Sequence, residues 1–355
     1  MQLKNKTILI ISNEPWGDIW YSKHNWANEL SKNNLVYFID PPKKWKFVDF
    51  FKTKINIENY SDSLKILRYN NKLPFTRFDF LFKINERCIT RKINKNVKSI
   101  NKIIFWSFDP YRFSRPALLK SYRSIYFRVD EYIVKREATL IKNVDEVILT
   151  SKELLKNITP SKKPLIITHG ISEEEFEFTS DIKYKKGYFL YVGNIDYRLD
   201  IDLIEKILIE FPNEIFIFIG KLNNINNKKF QEIFYENKYN NIIIHGVEHF
   251  KNLKNYIYKS KGCLAPMDLN IHGNSIHHHK TLQYLAMGKP IISPIFNDEI
   301  NKEHIIVSYK NNDEAIQRIR EIDLYNSNEQ CRYRINYAKQ FLYSNLIKKI
   351  EKFIN

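Results

Sequence analysis

A polar and basic segment lies between an apolar run that ends at Pro266 and a helical pattern over residues 276–287. The loop 273–275 reads Gly-Asn-Ser, and Lys280 follows three histidines in the first turns of the helix. A helix N-terminus carries a partial positive charge and unpaired N–H groups, so cations there are unfavourable unless an anion binds. Glycine, small polar side chains and lysine at a helix start are the components of a phosphate-binding loop. The alternative interpretation is that Ser275 caps the helix and the lysine is solvated.

A second cation is predicted to reach the same place. Arg198 lies in the loop after an apolar run over residues 187–192. In a parallel sheet, the loops that follow the strands share one edge with the N-termini of the next helices. Arg198 and Lys280 are therefore expected to converge on one anion, and Gly246 and Val247 expose backbone at the same edge.

A sheet is needed to position these residues, and apolar runs of strand length recur along the chain with helical patterns between most of them. The runs cover residues 7–12, 35–39, 103–108, 124–129, 146–150, 165–168, 187–192, 215–219 and 242–244. Strands that alternate with helices predict an α/β protein with doubly wound parallel sheets. Gly288 and Pro290 are predicted to end the helix over residues 276–287.

The length of 355 residues predicts two domains, each of about 150 residues. The acidic, irregular segment 171–181 is the best boundary, which gives domains over residues 1–172 and 180–330. The chain ends in a basic amphipathic pattern over residues 332–354, which predicts one last helix.

Disulfide and metal chemistry are not indicated by the sequence. Cys88, Cys263 and Cys331 are far apart and odd in number, which favours a reducing compartment. Asp200 and Asp202 resemble a carboxylate pair for a metal-bound nucleotide, but Asp200 is predicted to cap the helix that follows it. The basic N-terminus has too short an apolar run for a signal peptide, and no run approaches the length of about 20 residues that spans a membrane. A cytoplasmic protein is expected.

Polar residues also follow the strands of the first domain, in loops that should share one edge of its sheet. The candidate site residues there are Trp16, Gly17, Asp18, His24, Asp109, Arg112, Asp130 and His169. Asp18 is the first candidate for an acid or base because the first loop of such a sheet faces the central crevice, and His24 is the second. Structural roles are the alternative: a helix cap for Asp18, a turn for Asp109 and a helix-surface position for His24.

The charge is strongly positive, with 57 Lys and Arg against 40 Asp and Glu and a net charge of +17. Such a charge attracts nucleic acid, an anionic membrane or phosphorylated ligands. The segments 43–54 and 74–98 interleave aromatic and basic residues, as a helix bound to a membrane surface does. An ordinary amphipathic helix over the sheet and a groove for single-stranded nucleic acid are the alternatives.

Sequence motifs along nearly the whole chain resemble those of a known family. They are ILIISNEPWGDIW, VYFIDPP, VDEVILTSKELL and HGIS in the first half, and YVGNIDYRLD, FIFIG, IIIHGVEHFKNLKNYI and HKTLQYLAMGKPIISP in the second. The chain resembles bacterial glycosyltransferases of the GT-B fold, in the retaining family 4 that includes glycogen synthase-like and sucrose synthase-like enzymes, and especially its teichuronic-acid and surface-polysaccharide members. The resemblance implies two Rossmann-like domains that face each other across a cleft, with acceptor bound by residues 1–172 and nucleotide sugar by residues 180–330. A helix near residues 335–355 is expected to cross back to the first domain.

The resemblance also implies roles for individual residues. Arg198 and Lys280 would bind the donor diphosphate and stabilise the leaving group, with no metal or other cofactor. The donor-binding residues it implies are Gly193, Gly246, Val247, Gly273, Asn274, Ser275 and Gln283. UDP is the expected nucleotide, and the expected acceptor is a glycan or lipid-linked glycan, at an anionic membrane surface; nucleic acid is not an expected partner.

The chain departs from the family pattern at the donor site. Gln283 stands where the family usually has a glutamate that holds the ribose, and Ser275 stands where a second glutamate is common. Glutamine still hydrogen-bonds hydroxyl groups. The three histidines 277–279 are also unusual, and adjacent helical positions do not share a face on which to bind a metal.

The expected reaction is transfer of a sugar from a nucleotide diphosphate to a hydroxyl of a growing cell-surface glycan such as lipopolysaccharide or capsule. A retaining enzyme needs no strong protein base, whereas an inverting one would use Asp18 or, second, His24. The alternatives are a sugar-nucleotide epimerase of the same fold and a basic nucleic-acid-binding protein.

Overall fold

A computed structural model describes residues 2–177, 184–185, 187–272, 279–295 and 305–354. The chain divides into two compact units. The first contains Met1–His169 and Tyr343–Asn355, and the second contains Gly170–Leu342.

The first unit is built on a sheet whose strands alternate with helices. Its elements in chain order are β1 (Thr7–Ile11), α1 (Ser22–Ser31), β2 (Leu35–Ile39), β3 (Ile55–Asn59), β4 (Leu64–Tyr69), α2 (Asp79–Asn96), β5 (Ile103–Ser107), β6 (Arg123–Arg128), α3 (Lys135–Asn143), β7 (Glu146–Leu149) and β8 (Leu165–Ile166). The strand order is β3-β4-β2-β1-β5-β6-β7-β8, parallel except for β3 against β4. The central strand β1 is buried on both faces, which explains its continuous apolar sequence.

The hairpin of β3 and β4 was not predicted from the sequence. Its segment lies between the two aromatic and basic stretches, of which the first forms only a short 3-10 turn, Phe47–Phe50, and the second forms α2. β4 pairs with β2 and is buried on both faces of the sheet, with Leu64 and Ile66 on one face and Leu67 on the other. The antiparallel strand β3 then covers the edge that β4 would otherwise leave open.

The second unit contains a fully parallel sheet. Its elements are β9 (Tyr188–Val192), α4 (Ile201–Glu210), β10 (Phe216–Ile219), α5 (Lys228–Phe234), β11 (Ile242–Gly246), α6 (Phe250–Lys259), β12 (Ser260–Leu264), α7 (Leu269–His272), α8 (His279–Ala286), β13 (Ile291–Pro294), β14 (Ile306–Tyr309), α9 (Asn312–Arg320) and α10 (Asn328–Lys339). The strand order is β11-β10-β9-β12-β13-β14. Gly288 ends α8 at φ 69°, as predicted, and Pro290 precedes β13.

The chain ends in two helices rather than the single predicted helix. After α10, the backbone of Phe341 accepts a hydrogen bond from Ile171 N at 3.0 Å, and Leu342 pairs with Ile171 as a β-bridge. This pairing takes backbone groups that a continuous helix would use itself. The helix α11 (Tyr343–Phe353) then packs in the core of the first unit, where Tyr343 lies 4.9 Å from Trp26, ring centroid to ring centroid.

Each sheet has one place where the strand order reverses. In the first sheet the chain leaves β1 toward β2 and returns on the other side with β5, and in the second it does so between β9 and β12. Ligands of open α/β sheets bind beyond the carboxyl ends of the strands at such a switch point. Among the described residues there is no helix with the length and hydropathy of a membrane span.

Candidate functional site

Glycines stand at the carboxyl ends of β9, β10 and β11, so this edge of the second sheet consists of backbone without side chains. Gly193 N donates to Ile219 O at 2.9 Å, and Gly220 N donates to Gly246 O at 2.8 Å. Gly193 and Gly220 both have φ near +151°, and a Cβ on Gly220 would lie 1.9 Å from Gly193 O. Only glycine fits this close approach, and the result is a shelf of backbone beside the switch point.

Arg198 lies beside this shelf, in the loop after β9, and is held by Asp196. Its Nε and Nη2 donate to the two carboxylate oxygens at 2.9 and 2.7 Å. Burial opposes ionisation of Asp196, but the hydrogen bonds from Arg198 outweigh it and lower the carboxyl pKa. This ion pair fixes the guanidinium group. The Arg198 side chain is still 33% exposed, so its remaining N–H groups are accessible to a ligand.

Lys280 lies in the first turn of α8, on the other side of the switch point. Its Nζ is 4.9 Å from the ring centroid of Tyr191, and a Cβ on Gly193 would lie 2.6 Å from that Nζ. Burial, and then the charge of Arg198, lower the pKa of Lys280 to about 8. Within the part of the chain that the structure describes, Lys280 forms no ion pair. Lys280 thus lies close enough to Arg198 for the charge of Arg198 to lower its pKa, and the convergence of the two cations on one anion remains a prediction.

Backbone and tyrosine contacts hold these two cations in place. Tyr284, one turn after Lys280, accepts a hydrogen bond from Val192 N at 2.8 Å and so ties α8 to the end of β9. Asp268 N donates to Arg198 O at 2.9 Å, which joins the loops after β12 and β9. The arrangement is a preorganised cationic site, suited to stabilising an anion.

The carboxylates near Arg198 serve structural roles. Asp200 accepts a hydrogen bond from Leu203 N at 2.9 Å and caps α4, which confirms the predicted cap. Asp202 pairs with Lys229. Over the described ranges, no group of three or more His, Cys, Asp or Glu side chains could hold a metal ion.

The other donor-binding candidates lie around this site or outside the described residues. Gln283 is buried, and its amide donates to the carboxylate of Glu175 in the 3-10 turn Glu173–Phe176. Gly246 ends β11, and Val247 after it is 57% exposed. The candidates Gly273, Asn274 and Ser275, with His277 and His278, lie outside the described residues.

In the first unit, the loop after β1 is held by Asp40. Trp16 N donates to Asp40 Oδ1 at 2.9 Å, and the Trp16 ring packs 4.9 Å from both Phe38 and Tyr60, centroid to centroid. Gly17 and Asp18 follow on the exposed part of the loop. Asp18 is therefore accessible to solvent, and its role as a base remains a prediction.

His24 has a structural role rather than that of a base, and it is not on a helix surface. It is fully buried, with its Nδ1 accepting a hydrogen bond from Tyr21 N at 3.1 Å and its Nε2 donating to Pro15 O at 3.0 Å. Burial is the main cause that lowers its pKa to about 4. Both ring nitrogens are occupied, so the neutral imidazole holds the loop.

Arg112 and Asp109 also act within the fold. Arg112 Nε donates to Asp109 at 2.5 Å, and Nη1 donates to Asp40 O and Tyr69 Oη, each at 2.8 Å. Nη2 donates to Ser12 O. One guanidinium therefore joins the carboxyl ends of β1, β2, β4 and β5.

The remaining first-unit candidates follow other strands at the same edge. Asp130 is exposed after β6, and His169 is half-buried after β8. Asp196 and Tyr191 were missed from the sequence, although the spacing of Asp196 two residues before Arg198 was a usable signal. Lys23 was missed too: it is buried, and its Nζ donates to Asn13 Oδ1 at 2.5 Å.

Comparisons with known proteins identify the fold. No family model matches the chain, and no curated protein matches its sequence. A glycosyltransferase from Rickettsia africae is similar in structure, with a TM-score of 0.67 at 15% identity over 98% of this chain and 97% of that one. The Anabaena protein HepE, solved with UDP, gives a TM-score of 0.66 at 9% identity, covering 98% and 99%. The pneumococcal O-GlcNAc transferase GtfA, solved with UDP and GlcNAc, gives a TM-score of 0.59 at 13% identity, covering 99% and 98%. The two parallel-sheet units of this chain thus match the GT-B glycosyltransferase fold.

Proposed function

We propose that this protein is a glycosyltransferase that moves a sugar from a nucleotide diphosphate to an acceptor hydroxyl. The observation that carries the proposal is the placement of two cations at the switch point of the second sheet, Arg198 after β9 and Lys280 at the start of α8. As the glycosidic bond breaks, the leaving nucleoside diphosphate takes on negative charge. Two fixed cations stabilise that charge without a metal ion, because Asp196 and Tyr191 already hold them in position.

The proposed donor is a UDP sugar. The structural neighbours that were solved with UDP support this nucleotide. The absence of a side chain on Gly193 lets the Lys280 ammonium lie directly over the end of β9, where the diphosphate would bind, and Gly246 and Val247 would lie against the base. Gln283, held by Glu175, would hydrogen-bond the ribose in place of a glutamate.

The proposed transfer retains the configuration of the sugar. The leaving phosphate then takes the acceptor proton, and no histidine base is needed, consistent with the occupied nitrogens of His24. If transfer inverts, Asp18 is the proposed base because its carboxylate is exposed on the first loop. Product stereochemistry, read by NMR of the new glycosidic bond, decides between the two.

The proposed acceptor is a cell-surface glycan, such as lipopolysaccharide or capsule, or its lipid-linked precursor, on the cytoplasmic face of an anionic membrane. Phe47 and Phe51 are each 73% exposed and lie in the basic segment 43–54. Exposed aromatics next to lysines favour an anionic bilayer surface. Co-sedimentation with vesicles of anionic and of neutral lipid tests this part of the proposal.

A thermal-shift screen with UDP, GDP, CDP and dTDP sugars tests the donor assignment. A ligand present at 100 times its Kd stabilises the native state by about 2.7 kcal/mol. We expect a UDP sugar to raise the melting temperature of the wild type but not of Lys280→Met. The matched control is Lys228→Met, a lysine whose side chain is 92% exposed on α5, and it should respond like the wild type. Equal stabilisation of Lys280→Met would contradict the diphosphate assignment.

Incubation with donor, with and without acceptor, separates the transferase from an epimerase of the same fold. An epimerase releases an altered nucleotide sugar without any acceptor, whereas a transferase releases free UDP as the acceptor is extended. Salt-dependent binding of single-stranded nucleic acid, without any response to nucleotide sugars, would instead favour a nucleic-acid-binding protein.

A further inference from the structure

The first unit contains a cavity that none of the proposed donor chemistry uses. Its volume is about 470 Å³, within the usual range of small-ligand pockets. It lies at the carboxyl edge of the sheet, between the ends of β2, β4 and β5 and the helix α2. Apolar side chains form much of its wall, among them Pro41, Tyr69, Phe82, Ile89 and Phe113.

The two carboxylates of the cavity wall are paired with arginines, whereas Arg77 and Arg136 in the same wall have hydrogen-bond donors without a strong partner. Glu86 is paired with Arg115, and Asp109 with Arg112. Arg136 donates Nη2 to the carbonyls of Thr76 and Arg77 and lies 4.1 Å over the ring of Phe82. Its Nε is buried and has no hydrogen-bond partner.

Arg77 adds a second available charge at the wall of the cavity. Its guanidinium lies 5.0 Å over Phe78 and makes no ion pair with any residue that the structure describes. The carboxylate nearest to Arg136 is that of Asp79, 3.7 Å away on a side chain that is 81% exposed. The cavity therefore combines an apolar wall with two guanidinium groups: that of Arg77 makes no ion pair among the described residues, and that of Arg136 pairs only with the exposed Asp79 carboxylate.

Two of the six non-glycine residues with positive φ in the described part of the chain lie at or beside this cavity. Phe113, in its wall, has φ of 50°, and Phe75, next to the wall residue Thr76, has φ of 55°. Bulky aromatic residues rarely adopt left-handed backbone, because that conformation is strained for them. Such strain clusters at ligand sites, where it holds a loop in the shape that a ligand needs.

The segment that forms one wall also presents an apolar surface to solvent. Phe75, Phe78 and Phe80 are 65%, 53% and 73% exposed, and they flank the wall residues Thr76 and Arg77. Exposed aromatics beside cations are suited to the boundary of an anionic bilayer. A ligand that enters from this side passes exposed aromatic side chains, which favours an amphiphilic one.

We propose that this cavity binds an amphiphilic anion, a phosphate on a single isoprenoid or acyl chain. The phosphate would pair with the guanidinium groups of Arg77 and Arg136, both in the cavity wall, and the chain would pack against Phe82, Ile89 and Phe113. A guanidinium is matched to phosphate by its planar fork of donors. That this ligand carries the sugar acceptor rests on the proposed function; the binding site itself does not.

Calorimetric titration of the full chain, without nucleotide, tests the site with farnesyl phosphate below its micelle concentration. Farnesol lacks the phosphate, and inorganic phosphate lacks the chain. We expect farnesyl phosphate to bind at least tenfold more tightly than either. Comparable binding of farnesol or of inorganic phosphate would overturn the proposal, as would failure of farnesyl phosphate to bind.

Arg77→Gln should weaken farnesyl phosphate binding roughly tenfold, the usual order for loss of a charged hydrogen bond. The matched control is Arg87→Gln, the same charge change at an exposed position of α2 outside the cavity wall. Equal weakening in both variants would indicate only general charge attraction and would overturn the proposal. Stabilisation by UDP is measured in parallel on Arg77→Gln: loss of lipid binding with an intact UDP response separates this site from the donor site.

Discussion

Replacing Lys280 with methionine should make the protein more stable at neutral pH while removing donor binding. Lys280 is half-buried beside Arg198, and burial is the first cause of its low pKa, with the charge of Arg198 second. Its pKa falls from 10.5 to about 8. Since one pKa unit corresponds to about 1.4 kcal/mol, the charged lysine costs the folded state up to about 3 kcal/mol below pH 8. Partial exposure makes this an upper value.

The sign of the pH dependence follows from proton binding. Between pH 8 and 10.5 the unfolded chain keeps the Lys280 proton and the folded chain has lost it, so wild-type stability rises with pH across this window. Lys280→Met lacks this group and does not show the rise. Its advantage should therefore be greatest at pH 7 and should fall to about a quarter of that value by pH 10.

Thermal unfolding at pH 7 and at pH 10 measures the effect. One kcal/mol moves the melting temperature by about 2–4 °C for a unit of this size, so a rise of several degrees is expected for Lys280→Met at pH 7. Lys228→Met, on an exposed side chain, should change little at either pH. A melting temperature of Lys280→Met below the wild type at pH 7, or a difference independent of pH, would refute the reasoning. Such a result would mean that Lys280 is paired in the folded protein.

Three further predictions concern the geometry of the two units. Gly193→Ala places a Cβ 2.6 Å from the Lys280 ammonium group. Calorimetry should show that UDP binding is lost, and thermal unfolding should show a loss of stability of about 1–3 kcal/mol. Gly17→Ala should be neutral, because there is open space around Gly17. Arg198→Lys keeps the charge but loses the bidentate pair with Asp196. UDP affinity should fall roughly tenfold, while the unfolding transition should not change. Unchanged UDP affinity would mean that the charge alone is sufficient. Arg112→Met leaves a buried carboxylate without its partner, and urea unfolding should show a loss of about 3–5 kcal/mol; a small loss would mean that the strand ends do not depend on this guanidinium.

Much of the architecture could be predicted from local patterns. Central strands such as β1 and β9 are buried on both faces, so their apolar runs were visible in the sequence. The helix end at Gly288 was equally visible because few other residues adopt left-handed backbone there. The hairpin of β3 and β4 was hidden, since aromatic and basic residues on either side of it dominate the pattern.

The sequence by itself determined which residue types could bind an anion. Arg198 and Lys280 were recognisable from their places after strands and before a helix. The sequence could not determine which polar side chains bind other parts of the fold. His24 and Arg112 were both candidates for a ligand site, yet in the structure their hydrogen-bonding groups are taken by backbone and carboxylate partners. Those partners lie far apart along the chain, so only the packing of the strands brings them together. The low pKa of Lys280 arises in the same way, because burial and the nearby charge of Arg198 exist only in the folded unit.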